Sequence, residues 1–148
     1  MNFTEKEILE IIDNCEKELK DMARIKFSRT WNWSDNFPKK AGVYAIFYKD
    51  ILVYVGETAN LKERMKEVKR TVNHSFRKKL GKFLNPKAKI MNGKYPQELE
   101  EQLNIEFKNN IEFTFKEINF GRIEIENHLM QRNEGVLNSI GKRSKINA

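Results

Sequence analysis

The chain has 148 residues, 39% hydrophobic and 11% aromatic, enough for one compact core and short of two; ten Phe, four Tyr and two Trp exclude a disordered polyelectrolyte. No apolar run approaches the roughly 18 residues of a membrane span and no signal-peptide pattern opens the chain, so a cytoplasmic protein without membrane contact is expected. Of the net charge of +7, residues 61–89 alone hold a balance of +9, eleven Lys and Arg against Glu63 and Glu67, which suits a nucleic-acid phosphate backbone or, equally, a solvated helix face.

Thr4-Glu5-Lys6-Glu7 is a capping box, with Phe3 and Ile8 placed as a hydrophobic staple. Ile8, Ile11, Ile12, Cys15, Leu19 and Met22 then recur at helical spacing and predict a helix over residues 5–23. Its stripe is one face wide, so it is expected to cover the sheet rather than pair with a second subunit. Cys15 has no cysteine partner, and with His74 and His128 it cannot complete a structural zinc site. The stretch Trp31-Asn32-Trp33-Ser34-Asp35-Asn36-Phe37-Pro38 reads as a loop whose aromatics cover part of the core.

Residues 42–48 and 51–55 are β-branched and aromatic runs around Lys49-Asp50, the spacing of a tight antiparallel hairpin. Asn60, with Glu63 three residues on, opens a second helix that places Leu61, Arg64, Met65 and Val68 on one face. A short helix near 75–83, a loop to Pro96 and a further helix over 98–109 follow. Residues 111–118 alternate with period two as a half-buried strand, and a last helix over 122–132 puts Glu126 beside Leu129 and Met130. An inward Arg64 can be an arginine packing its methylenes at the core edge with its head in water. Glu126 can pair with Arg122 one turn earlier. Tyr44 and Tyr54 can be ordinary core aromatics.

Gly42-Val43-Tyr44, then Tyr54-Val55-Gly56 with ten residues from tyrosine to tyrosine, then Thr58, Asn60-Leu61 and Arg64, resemble the GIY-YIG nuclease family. Glu126-Asn127-His128-Leu129-Met130, followed twelve residues past the glutamate by Asn138, is similar to that family's C-terminal glutamate helix and closing asparagine. The likeness spans residues 40–140. Valine replaces both isoleucines of the family name, and Glu57 stands where many members carry lysine or a small polar residue. Val68 occupies a place held by histidine in some members.

The resemblance implies an α+β fold, an α/β sandwich with a central three-stranded antiparallel sheet flanked by helices. Residues 1–39 would be an N-terminal helix and loop packed on a nuclease-like domain of residues 40–148, with a basic insertion at about 71–96. It implies a metal-dependent endonuclease that hydrolyses DNA phosphodiester bonds. Tyr44 would be the general base, with Tyr54 sharing or relaying the proton, and Arg64 would clamp the scissile phosphate. Glu126 would hold Mg²⁺ (or Mn²⁺), and Asn138 would fix the site by hydrogen bonding. A free tyrosine titrates near ~10, so a base role needs a neighbouring cation, Arg64 or the metal, to lower it. His74 is either a further residue of this site or the solvent-facing start of a helix. Lys69, Arg70, Arg77, Lys78, Lys79 and Lys82 would extend the DNA-binding surface. The partner implied is DNA, with a homodimer as a further possibility. The alternative is a nucleic-acid-binding module that keeps the fold without the chemistry.

Overall fold

Lys49 and Asp50 both adopt left-handed backbone, φ 50° and 67°. This is the two-residue turn whose twist matches its flanking strands, and it closes the hairpin as the sequence predicts. The computed structural model describes residues 3–71 and 74–133. In chain order these form α1 (Glu5–Asp21), β1 (Ile25–Lys26), β2 (Gly42–Tyr48), β3 (Ile51–Thr58), α2 (Leu61–Glu67), α3 (Ser75–Leu84), α4 (Gln97–Asn110), β4 (Ile111–Glu117) and α5 (Arg122–Arg132). The fold is α+β. Its sheet is antiparallel throughout, in the order β1-β4-β2-β3. Four strands stand where three are expected, because Ile25 and Lys26 pair with Phe113 and Glu112 on the outer edge of β4. Two residues are too few to show a period.

Helices cover both faces, and β2 is therefore buried along almost its whole length. On one face Ile12, Cys15 and Leu19 of α1 and Ile125 and Leu129 of α5 pack over Val43, Ala45, Phe47 and Val55. On the other, Tyr44, Ile46 and Tyr54 meet Leu61 and Met65 of α2, Phe76 and Leu80 of α3, and Leu103 and Phe107 of α4. Trp33 and Phe37 join that second core through edge-on contacts with Phe113, whereas Trp31 points outward. The capping box of α1 forms, but Ile8 and Ile11 remain exposed, and Phe3 stacks on Phe120 at 6.1 Å.

The expected basic insertion contains α3 and a loop, fastened to α4 through one carboxylate. Glu100 accepts from Thr71 Oγ1 at 2.6 Å, from the Tyr95 backbone amide at 3.0 Å and from Arg77 Nη2 at 3.0 Å. Among the described residues no helix is long and apolar enough to cross a membrane.

Candidate active site

Two residues of offset within the hairpin bring the tyrosines together. Tyr44 lies opposite Gly56 and Tyr54 opposite Ile46, so both rings project from the same face, their centroids 6.2 Å apart. Gly56 makes this possible: a Cβ there would stand 2.3 Å from Cζ and Oη of Tyr44. The Tyr44 ring thus lies directly against the backbone of β3. Gly42 similarly leaves room for the Lys116 carbonyl, 2.3 Å from a Cβ at that position.

His74 closes the group from α3. It is fully buried, and its Nε2 lies 2.9 Å from Tyr44 Oη. Its Nδ1 accepts the Phe76 backbone N–H at 3.1 Å, which caps the helix. Burial, and secondarily the nearby Arg64 charge, pull the imidazole down to about 3, so the ring is neutral. A neutral imidazole has one donor and one acceptor nitrogen. With Nδ1 committed as acceptor, Nε2 carries the proton and donates it to Tyr44 Oη. The alternative of a solvent-facing imidazole is thereby set aside, though the helix-start position is correct.

Arg64 and Glu126 complete the cluster from α2 and α5. Arg64 is partly buried beside Tyr44 and Tyr54, and its Nη1 donates to Glu67 Oε2 at 3.0 Å. Burial alone would lower the Arg64 guanidinium, but Tyr44 and Glu67 more than offset it and hold the group above its ordinary value. Burial raises the half-buried Glu126 carboxyl; the Glu57 backbone amide, Lys79 and Arg64 draw it down, and the Glu57 carboxylate pushes it up. The expected alternative for Glu126, an ion pair with Arg122, is not formed. Arg122 Nε donates instead to Glu57 Oε2 at 3.1 Å. Lys79 Nζ lies over the Tyr54 ring, 5.4 Å from its centroid.

The tyrosines themselves titrate opposite to expectation. Burial, with Tyr54 next, raises Tyr44 far above the usual phenol range, and the opposing Arg64 charge does not compensate. Burial and then Glu126 raise Tyr54 as well. Removing a phenolate from water costs more here than one partly exposed guanidinium returns.

The basic residues divide. Lys69 and Lys78 are half-buried and Arg70 is exposed, while Lys82 Nζ donates to the Ala88 carbonyl at 2.9 Å. Arg77 leaves the solvent-facing row altogether. Its side chain is 1% exposed, donating to Thr71 Oγ1, Glu100 and Asn104 Oδ1 and lying 5.2 Å from the Phe107 ring centroid. Phe76, Arg77, Leu80 and Gly81 form one inward stripe, so the argument that marks Arg64 as an inward cation applies equally to Arg77. Glu57 and Glu67, each bound to an arginine of the cluster or its border, carried no sequence signal beyond the departure at position 57. Asn138 lies outside the described residues.

No family model and no curated protein sequence matches this chain. Among solved structures, the GIY-YIG N-terminal endonuclease domain of UvrC from Thermotoga maritima, bound to its catalytic divalent cation magnesium, aligns with 68% of this chain and 85% of that domain at 17% identity, with a TM-score of 0.37. Two point mutants of the same domain, each bound to that domain's catalytic divalent cation, align with 68% of this chain and 84% of theirs at 17% and 15% identity, again with a TM-score of 0.37.

Proposed function

We propose that this protein is a metal-dependent endonuclease of the GIY-YIG type, hydrolysing DNA phosphodiester bonds in the cytoplasm with Tyr44, Tyr54, Arg64 and Glu126. The observation that carries this reading is the convergence of those four side chains, from β2, β3, α2 and α5, within electrostatic reach of one another. The donor set fits a hard cation: Glu126 supplies a half-buried carboxylate, and the neighbouring Glu57 carboxylate adds negative charge that a cation would relieve. When bound there, Mg²⁺ or Mn²⁺ compensates charge at the phosphoryl oxygens and favours the ionised forms of nearby groups.

The protein's own groups divide the remaining work. Arg64 offers a planar fork to the scissile phosphate, for which Glu67 is the resident competitor. His74 donates to Tyr44 Oη, so the histidine cannot receive Tyr44's proton; it orients the phenol and stabilises the phenolate. Tyr44 would act as base only as the phenolate: its own proton would first leave through the adjacent Tyr54 hydroxyl to solvent, a loss that Arg64 and a bound cation favour, and Oη would then take the proton of the attacking water. Asn138 is kept as a residue of this site by resemblance alone. The row of Lys69, Arg70, Lys78, Lys79 and Lys82, of which Arg70 and Lys82 are exposed and the others half-buried, positions the strand through its phosphates.

The second reading, a DNA-binding module without chemistry, is favoured by one observation: Tyr44 is held as a neutral phenol despite Arg64. Plasmid nicking with Mg²⁺ and gel-shift affinity in chelator, each for wild type and Glu126→Gln, separate the two. The nuclease reading expects the substitution to lower nicking by orders of magnitude while DNA affinity holds or tightens, because a carboxylate facing phosphate has been neutralised. Absence of nicking by wild type would leave the binding module. Full nicking by the variant would remove Glu126 from the site.

A further inference from the structure

Arg77 has one nitrogen too many for its surroundings. Its Nε donates to Thr71 and its Nη2 to Glu100 and Asn104, but Nη1 is buried with no acceptor among the described residues. An unsatisfied buried donor on a charged group is costly, and native structures retain few of them without a reason. The same guanidinium lines a cavity of about 490 Å³ between the loop at Arg29, the end of α2, the turn at Lys94 and α4. Four further cations, Arg29, Lys69, Arg70 and Lys94, line it, against the single carboxylate of Glu100. Arg29 and Arg77 are drawn together, since both donate to Asn104 Oδ1, at 2.8 and 2.9 Å. Among the described residues, five positive groups around one carboxylate form a site short of an anion.

We propose that this cavity is a phosphate subsite that takes a phosphodiester of the bound nucleic-acid strand away from the one being cleaved. Arg77 is its buried floor, and Arg70 and Lys94 are its exposed rim. The proposal rests on the reading of the protein as a nucleic-acid binder, and it is independent of whether the tyrosine site cleaves. Arg29, Lys69, Arg70 and Lys94 offer donors to the phosphate oxygens, and the buried Arg77 charge beneath them adds to the attraction. The subsite would hold the strand to the α3–α4 unit, and so fix its register relative to Tyr44.

Replacing Arg77 risks unfolding, so the rim and the resonance of Arg77 itself carry the test. The full-length protein is titrated in chelator with a short double-stranded DNA oligomer, and separately with inorganic phosphate. Three forms are compared: wild type, Arg70→Gln/Lys94→Gln, and Lys6→Gln/Lys17→Gln, which removes the same charge from exposed positions on α1. The rim pair should weaken DNA binding by about tenfold or more and the α1 pair by less than about twofold, because direct phosphate contacts outweigh screened distant charges. The Arg77 Nε–H resonance should move on adding DNA, and inorganic phosphate should move it in the same direction at higher concentration. Equal weakening by both pairs would overturn the subsite in favour of general attraction. A resonance that responds to inorganic phosphate and not to DNA would overturn the phosphodiester assignment. These measurements involve no cleavage, so failure to nick plasmid leaves them standing.

Discussion

A methyl group on residue 56 would meet the Tyr44 ring 2.3 Å from both Cζ and Oη. Gly56→Ala must therefore displace the phenol that the proposed chemistry uses. Overpacking of this kind costs about 1–3 kcal/mol. The expected result is a folded variant with a lowered thermal midpoint and nicking reduced at least about a hundredfold, since a shift of about 1 Å at a reacting group is enough for that. Retained nicking at a lowered midpoint would separate Tyr44 from catalysis. His74 offers a test in pH. Its folded value near 3 lies below the ordinary 6.5, so as pH falls through 6.5 the unfolded chain takes up a proton that the folded protein refuses. Stability from this group is complete above about pH 6.5 and declines below it, by about 2 kcal/mol between pH 7 and pH 5. His74→Asn keeps a helix-capping side chain and should flatten that part of the profile. Urea unfolding of both proteins at the two pH values reads the difference directly.

At the scale of elements, α3 faces in two directions at once. Phe76 and Leu80 enter the core beside Tyr54 and Phe107, while His74 at its N-terminus reaches Tyr44 and Arg77 reaches α4. Gly81 gives the Tyr95 ring its place, and Tyr95 Oη donates to the Lys78 carbonyl at 2.6 Å. Glu100 ties these pieces to α4, with Arg77 as its buried partner. Burial opposes the Glu100 charge, but Thr71, the Tyr95 amide and Arg77 hold the carboxyl below its usual range. Glu100→Ala leaves the Arg77 charge buried without its carboxylate, and such losses cost about 3–5 kcal/mol. Urea unfolding should show that loss. Amide exchange should quicken first in α3, the element that Glu100 fastens, and a loss confined to a few tenths of a kcal/mol would mean that Thr71 and Asn104 hold Arg77 unaided.

For the molecule as a whole, the sheet divides labour between its faces. The α1–α5 side is an apolar cover with Ile12, Cys15, Leu19, Ile125 and Leu129 at its centre. Burial lifts the Cys15 thiol there to about 11, which leaves it an unreactive packing group. The α2–α3 side carries Tyr44, Tyr54 and the basic residues of α2 and α3. Lys78→Ala/Lys79→Ala should weaken DNA binding alike on all sequences and reduce the salt dependence of log K by about 0.9 for each phosphate that is no longer neutralised. Gel shifts across a salt series on two unrelated oligomers measure both. Weakening on one oligomer alone would mean that these lysines read bases.

Local chemistry was enough to reveal much of this protein before folding is considered. Capping residues marked α1 and α2, the Lys49-Asp50 turn marked the hairpin, and helical spacing marked α5 at Arg122–Arg132, because such signals are written within a few residues. Motif spacing likewise singled out Tyr44, Tyr54, Arg64 and Glu126. Tertiary structure decided which polar groups met. Tyr44 found His74 thirty positions away, Arg77 found Glu100 twenty-three away, and Arg122 chose Glu57 sixty-five away over Glu126 one turn on. The strand at Ile25–Lys26 likewise exists only through its pairing with β4. A buried charge or donor is tolerated only where the fold delivers a partner within hydrogen-bond reach, so its fate depends on distant chain. The same burial raised Tyr44 against the pull of Arg64, a balance set by how much water the assembled core excludes.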